Sequence, residues 1–378
     1  MDKKKMILVG TAYPYRGGLA VYNERLARSF QEEGYEVEIW TFTVQYPNFL
    51  FPGKTQFSTE PAPEGLTIHR KLNSVNPFNW LKVGRQLRKA NADLVVMRYW
   101  IPYMAPSHGF IARRARKNKK TRVVSILDNI VPHEKGFADR MLARYFMNSL
   151  DGGVTMSKSV LEDAKAIDSN KKLQFCVHPL YDNFGSKVSR EEALSFLHLD
   201  PQYRYMLFFG IIRDYKGLDL LLQAMSDERL KQMKVKLIIA GEFYNNAEQY
   251  HKLEHELGLE EKLVWHSEFV PDSEVKYYFN AADIVVQPYK SATQSGVTQI
   301  AYHFEKPMLV TDVGGLKEIV PDKVVGYVTE VDPMEIASSL VDFFESQRYD
   351  AFVQNIQVEK QKYSWSRMVD TLVSVSKP

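Results

Sequence analysis

The segment from Tyr205 to Leu222 restricts the folds open to this chain more than any other. Tyr205 to Phe209 is an apolar, aromatic-rich run, the pattern of a strand covered on both faces. Gly210 follows, a residue that turns where one bearing a Cβ resists. Leu218, Leu221 and Leu222 then recur at helical spacing. A buried strand, a short loop and a helix belong to a parallel α/β sheet, and such sheets bind ligands where loops leave the carboxyl ends of strands. Arg213 and Lys216 sit in that loop. Two cations ahead of a helix N-terminus suit a diphosphate. The alternative is a pair of solvated surface charges.

The same rhythm runs along the chain. Strands are expected at Met6–Val9, Val37–Trp40, Leu66–His69, Leu94–Met97, Val123–Leu127 and Val154–Met156, with helical patterns between them. Gln45 to Pro63 is a long aromatic, proline-bearing loop, and loops of that length are usually functional or mobile. The pattern pauses at 179–187 and restarts with strands at Tyr205–Phe209, Val235–Ala240, Leu263–His266, Ile284–Gln287 and Met308–Thr311. With 378 residues, the chain is too long for one ordinary core. The expected architecture is α/β: two Rossmann-like, doubly wound parallel-sheet domains, 1–184 and 185–362, facing a cleft.

Composition narrows the function. Hydrophobic residues make up 45% and charged residues 25%, a globular balance. A net charge of +3 gives no sign of a nucleic-acid partner. A single cysteine, Cys176, excludes an internal disulfide and fits a reducing, cytoplasmic setting. No apolar run approaches the ~20 residues of a bilayer span.

Four loops carry candidate chemistry. Gly17 and Gly18 follow the first strand and either let backbone approach an anion or a sugar, or make an ordinary turn. Asp128, Asn129, His133 and Glu134 crowd the end of the strand closing at Leu127, a dense set of groups for sugar hydroxyls; a capping loop is the alternative. Arg213 and Lys216 form the third. The fourth, Pro288 to Val297, includes Gln294, Ser295, Gly296 and Val297, small and polar residues before a helix, where backbone N–H groups can face a phosphate. Downstream, Asp312 to Gly315 and Glu318 repeat the plan of strand, glycine loop and helix.

This order of motifs resembles the GT-B glycosyltransferases of family 4 (glycosyl transferases group 1): the Gly-Gly loop, the polar His loop, "GIIRDYKGLDLLLQA", "AADIVVQPY", "KPMLVTDVGGLKEIV", "GYV" and a final Tyr363-Ser364-Trp365 with its helix. The resemblance implies a retaining, metal-independent enzyme that moves a sugar from a nucleotide-diphosphate sugar to a hydroxyl acceptor, with no resident cofactor, in glycan or glycoconjugate biosynthesis. It implies that Arg213 and Lys216 hold the donor diphosphate, that Ser295, Gly296 and Val297 bring backbone N–H groups to it, that Gly17 and Gly18 lie under donor or acceptor, and that His133 lies near the transferred sugar. It also implies that the helix at 363–378 packs back on the first domain. Two departures stand out. The two family glutamates, seven residues apart, are replaced by Ala292 and Ile300, with Gln294, Gln299 and Glu318 as candidate substitutes, and Asp128 stands where the family often has His. No Asp-x-Asp triplet signals a carboxylate-bound metal–diphosphate site.

Arg113, Arg114, Arg116, Lys117, Lys119, Lys120 and Arg122 form a dense basic run. It reads either as a solvated face or as a peripheral contact with anionic membrane at the inner face, where a lipid-linked glycan acceptor would be found. Two rival functions share the fold: a sugar-nucleotide epimerase, and a non-catalytic subunit that binds nucleotide sugars.

Overall fold

The computed structural model describes residues 3–46, 56–130, 137–244, 247–292 and 295–377, with 137 and 138 described in backbone only. The chain forms two compact units, one of residues 1–179 with 363–378 and one of residues 180–362. The division falls earlier in the linker than the expected 184/185.

In the first unit, parallel strands are stacked in the order β3-β2-β1-β4-β5-β6-β7. They are β1 Lys5–Val9, β2 Glu36–Val44, β3 Thr67–Asn73, β4 Leu94–Tyr99, β5 Arg122–Leu127, β6 Gly152–Thr155 and β7 Lys172–Phe175. β4 is buried at every position and reads Leu-Val-Val-Met-Arg-Tyr, an apolar run broken by one arginine. Helices cover both faces, as an all-parallel sheet requires. On one face Ile7, Val9, Val95, Met97 and Val123 pack against Leu87 and Ile111. Each such aliphatic side chain contributes about 1.5–3 kcal/mol by leaving water. The helix Trp365–Ser376 returns to this unit: Trp365 packs 4.9 Å from the Tyr22 ring, and a Cβ on Gly152 would stand 2.3 Å from the Val375 carbonyl oxygen.

In the second unit the order is β10-β9-β8-β11-β12-β13. These strands are β8 Arg204–Phe209, β9 Val235–Ala240, β10 Leu263–His266, β11 Ile284–Gln287, β12 Met308–Thr311 and β13 Gly326–Thr329. Its core gathers Met206, Phe208, Leu237, Ile239, Ile284, Val286 and Leu309 under Leu218, Leu221 and Leu222.

Both orders reverse direction once. In the first unit the chain builds outward from β1 to β3, then returns to place β4 on the other side of β1. In the second it returns to place β11 beside β8. Loops leaving neighbouring strands in opposite directions open a crevice at their carboxyl ends, where ligands of such sheets bind.

Candidate active site

In the second unit, three candidate loops leave adjacent strands β8, β11 and β12. After β8, the backbone runs alongside the loop that follows β9. Ile212 N–H donates to the Glu242 carbonyl at 2.9 Å, and Tyr244 N–H donates to the Ile212 carbonyl at 3.0 Å. This pairing sets the Arg213 guanidinium over the Tyr244 ring, 3.8 Å from its centroid. A short turn, Asp214–Lys216, comes next, and Gly217 closes it with φ 70°. A Cβ on Gly217 would lie 1.9 Å from the Pro288 carbonyl oxygen. Only glycine fits both the dihedral and the contact.

That close approach joins the first loop to the second. Lys290 N–H donates to the Tyr215 carbonyl at 2.7 Å. Lys216 is buried, and its ammonium donates to the Phe209 carbonyl at 3.5 Å and lies 5.8 Å from the centroid of Tyr289. Burial, and then the neighbouring Arg213 charge, pushes its pKa down to about 7. Two cations therefore stand side by side, one of them buried and without a carboxylate partner among the described residues. Such an arrangement has its field arranged for an anion.

The Tyr289 hydroxyl is 3.3 Å from Ser295 Oγ, and its carbonyl accepts from Thr311 Oγ1 at 2.5 Å. The loop after β11 is thus tied to itself and to the last residue of β12. Ser295 caps the helix Gly296–His303, accepting from Val297 N–H at 3.2 Å. The Val297 N–H, expected to face a phosphate, is bonded to the cap in this structure. Gly296 begins the helix, and a Cβ there would meet the Tyr181 ring at 2.7 Å. Gln294 lies outside the described residues.

At the position of one family glutamate the helix carries Ile300, which is buried. Gln299 is also fully buried, so it is no exposed substitute for a carboxylate. Ala292 is half-buried in the loop. Glu318 is exposed in the short helix Leu316–Ile319 after β12, on the same sheet edge as Arg213 and Ser295.

In the first unit, the loop after β1 is held from several sides. Asn23 Nδ2 donates to the Thr11 carbonyl at 2.8 Å, and Tyr13 N–H donates to Glu24 Oε1 at 2.7 Å. Arg16 N–H donates to the Gln56 carbonyl at 3.1 Å. Gly17 precedes the helix Gly18–Glu32 with φ 96°, and a Cβ there would meet nothing within 4 Å. Glycine is required here by the dihedral alone, and the surface above it stays open.

Asp128, just past β5, is almost fully buried. Its carboxylate accepts twice from Arg98 on β4: Nε to Oδ2 at 2.6 Å and Nη2 to Oδ1 at 2.8 Å. Arg98 also lies over the Tyr22 ring at 3.9 Å. Asp128 was expected to contact sugar hydroxyls; here both its oxygens bind a guanidinium within its own unit. Asn129 follows, half-buried. His133 and Glu134 lie outside the described residues. Arg98, Tyr244 and Tyr289 were missed from sequence because each acts across strands, and only Arg98 left a signal, as the one charge in an apolar strand.

The two units match two protein-family models. Residues 17–179 match the glycosyl transferase 4-like domain, and residues 203–346 match glycosyl transferases group 1. With its two Rossmann-like sheets, the chain belongs to the GT-B glycosyltransferases of family 4. Its relatives extend over the whole chain. An uncharacterized glycosyltransferase of Methanocaldococcus jannaschii, MJ1607, is 25% identical over 99% of this chain and 98% of its own. D-inositol 3-phosphate glycosyltransferase 1 of Catenulispora acidiphila is 28% identical over 95% of this chain and 90% of its own. Among solved structures, Anabaena HepE in complex with UDP and glucose superposes with a TM-score of 0.72 at 15% identity, covering 98% of this chain and 99% of that one.

Proposed function

We propose that this glycosyltransferase is a retaining, metal-independent enzyme that takes a sugar from a nucleotide-diphosphate sugar and places it on a hydroxyl acceptor in glycan or glycoconjugate biosynthesis. The observation that carries the reading is Lys216, a buried cation beside Arg213 with a carbonyl 3.5 Å away as its near partner. As the bond between anomeric carbon and phosphate oxygen breaks, negative charge grows on the departing diphosphate. Lys216, Arg213 and the N-terminal end of the Gly296–His303 helix stabilise it. The acceptor oxygen bonds to the anomeric carbon on the same face, and its proton passes to the departing phosphate. The protein's cations supply the charge that a divalent metal supplies elsewhere, and no cofactor enters the scheme. UDP is the first nucleotide to test, because the Anabaena relative was solved with it.

The acceptor in this reading is a lipid-linked glycan met at the inner face of the membrane, with the enzyme cytoplasmic and peripheral. No helix among the described residues is long and apolar enough to cross a membrane. The test is a thermal-shift screen with UDP, GDP and ADP, followed by NMR of the product's anomeric configuration. A ligand that binds only the native state raises the melting temperature. If none of the three raises it, the donor site is misassigned; an inverted product removes the retaining mechanism.

A further inference from the structure

The helices Pro77–Ala90 and Ala105–Ala115 and the segment running on to Arg122 share an unusual composition. Residues 77–90 hold four cations and residues 105–122 hold seven, and neither stretch contains an Asp or Glu. On the first helix, Phe78, Lys82, Arg85 and Lys89 fall on one stripe and all four are exposed, while Val83 and Leu87 face the core. Two glycines bring the neighbouring helices close. A Cβ on Gly84 would stand 2.7 Å from Arg114 Cβ, and one on Gly109 would stand 2.6 Å from the Tyr145 ring. Tyr145 belongs to a third helix, Phe137–Met147, which presents Arg140, Met141 and Arg144 to solvent. Its one carboxylate, Asp139, interacts with the buried Tyr99.

The cations of the run 113–122 divide in two. Arg116 and Arg122 both reach Asp151, at 2.9 and 3.4 Å, and Lys120 reaches Asp93 at 3.2 Å. Arg113 donates to the Tyr145 carbonyl at 2.5 Å. These four make contacts within their own unit, so the expected contact through the whole run rests on the other three. By contrast, Lys82, Arg85, Lys89, Arg114, Lys117, Lys119 and Arg140 have no carboxylate within ion-pair reach among the described residues. Beside them stand Phe78, 85% exposed, and Met141, 59% exposed.

From this face we infer that the three helices dock on an anionic lipid surface, with the stripe of Pro77–Ala90 as the principal contact. Unpaired cations complement lipid phosphates and are not drawn back by neighbouring acids. Phe78 and Met141 supply apolar groups that enter the headgroup boundary, as amphipathic membrane-surface helices do. The contact is independent of donor chemistry, so turnover with a water-soluble acceptor reports one reading and vesicle binding the other.

The experiment is vesicle co-sedimentation of the full chain, using phosphatidylcholine alone and the same lipid with added phosphatidylglycerol. Binding is expected only to the anionic vesicles and should weaken as salt rises. The triple variant Lys82→Gln, Arg85→Gln, Lys89→Gln should keep its melting temperature and its turnover of a soluble acceptor. It should lose affinity for vesicles by roughly a hundredfold, since each cation near the surface is worth about fivefold. Phe78→Ser should weaken binding in the same assay without changing its salt dependence. Equal binding to both vesicle types, or a triple variant that binds like the parent, overturns the proposal. So does tighter binding to duplex DNA than to the anionic vesicles at matched salt.

Discussion

Gly210 and Lys216 share one small space: a Cβ on Gly210 would stand 2.9 Å from the Lys216 ammonium nitrogen. The glycine also sits at φ 92°. Gly210→Ala therefore strains the backbone and displaces the cation together. It should lower turnover and melting temperature, whereas Lys216→Met should lower turnover alone. Losing one preorganised electrostatic donor reduces kcat by ~10²–10³. Lys216→Met should melt at or above the parent temperature, because it removes a buried charge and keeps the volume. If Lys216→Met turns over at the parent rate, the diphosphate does not bind there. Adding Arg213→Ala should reduce kcat by less than the product of the single effects if, as proposed, both cations hold one diphosphate.

With the donor diphosphate bound at Lys216 as proposed, the pKa of about 7 would make donor binding proton-linked. Above that pH the free enzyme holds the amine neutral, and a bound diphosphate restores the ammonium. Calorimetry of UDP binding near pH 8, in buffers of different ionisation enthalpy, should show proton uptake that is absent in Lys216→Met. The sign for stability is opposite to that of a paired lysine. Between about 7 and the ordinary lysine pKa of 10.5, the unfolded chain binds a proton that the folded chain does not. The unliganded protein should therefore gain stability from this group as pH rises through that window.

Asp128 and Arg98 should prove structural. Asp128→Asn leaves a buried guanidinium without its counter-charge, and breaking a buried pair in this way costs about 3–5 kcal/mol. Replacing both residues with apolar ones, Arg98→Met with Asp128→Leu, should recover much of that loss in denaturant titrations. A fully stable Asp128→Asn with weakened acceptor binding would return this residue to the sugar-contact role.

His108 is fully buried between the Trp100, Phe42 and Phe146 rings, and burial pushes its pKa down to about 4. Its neutral form stabilises the fold above the unfolded value of 6.5, and that contribution is lost as pH falls toward 4. The full effect is roughly 3 kcal/mol. His108→Leu should flatten the acid limb of the stability curve measured between those two pH values.

If the proposed site is right, turnover should survive excess EDTA, because the two side-chain cations would then neutralise the diphosphate in place of a metal. Complete loss of activity, restored by Mn²⁺ or Mg²⁺, would reject that mechanism.

Much of the fold was legible because buried parallel strands are apolar on both faces. β8, β9 and β11 fall where their aliphatic runs place them. The strands missed were the edges. β7 reads Lys-Leu-Gln-Phe with no fully buried residue, and β13 opens on a glycine, so neither has the continuous run of a central strand. β3 runs to Asn73, well past the expected His69, and its register against β2 shifts twice, which no periodicity announces. In the site, Lys216 was visible because its neighbours in sequence define the loop. Its burial was not, because Tyr289, whose ring lies 5.8 Å from its ammonium, and the Pro288 carbonyl that crowds the neighbouring Gly217 come from the other side of the switch point.

The helix Trp365–Ser376 belongs to the first unit but is translated after every residue of the second. Domains ordinarily fold in the order they leave the ribosome. Here the first sheet emerges early with the surface around Gly152 and Tyr22 uncovered, while the second unit can close in full. The first unit is therefore completed only after the second has been made, and its uncovered surface must stay unaggregated for that interval.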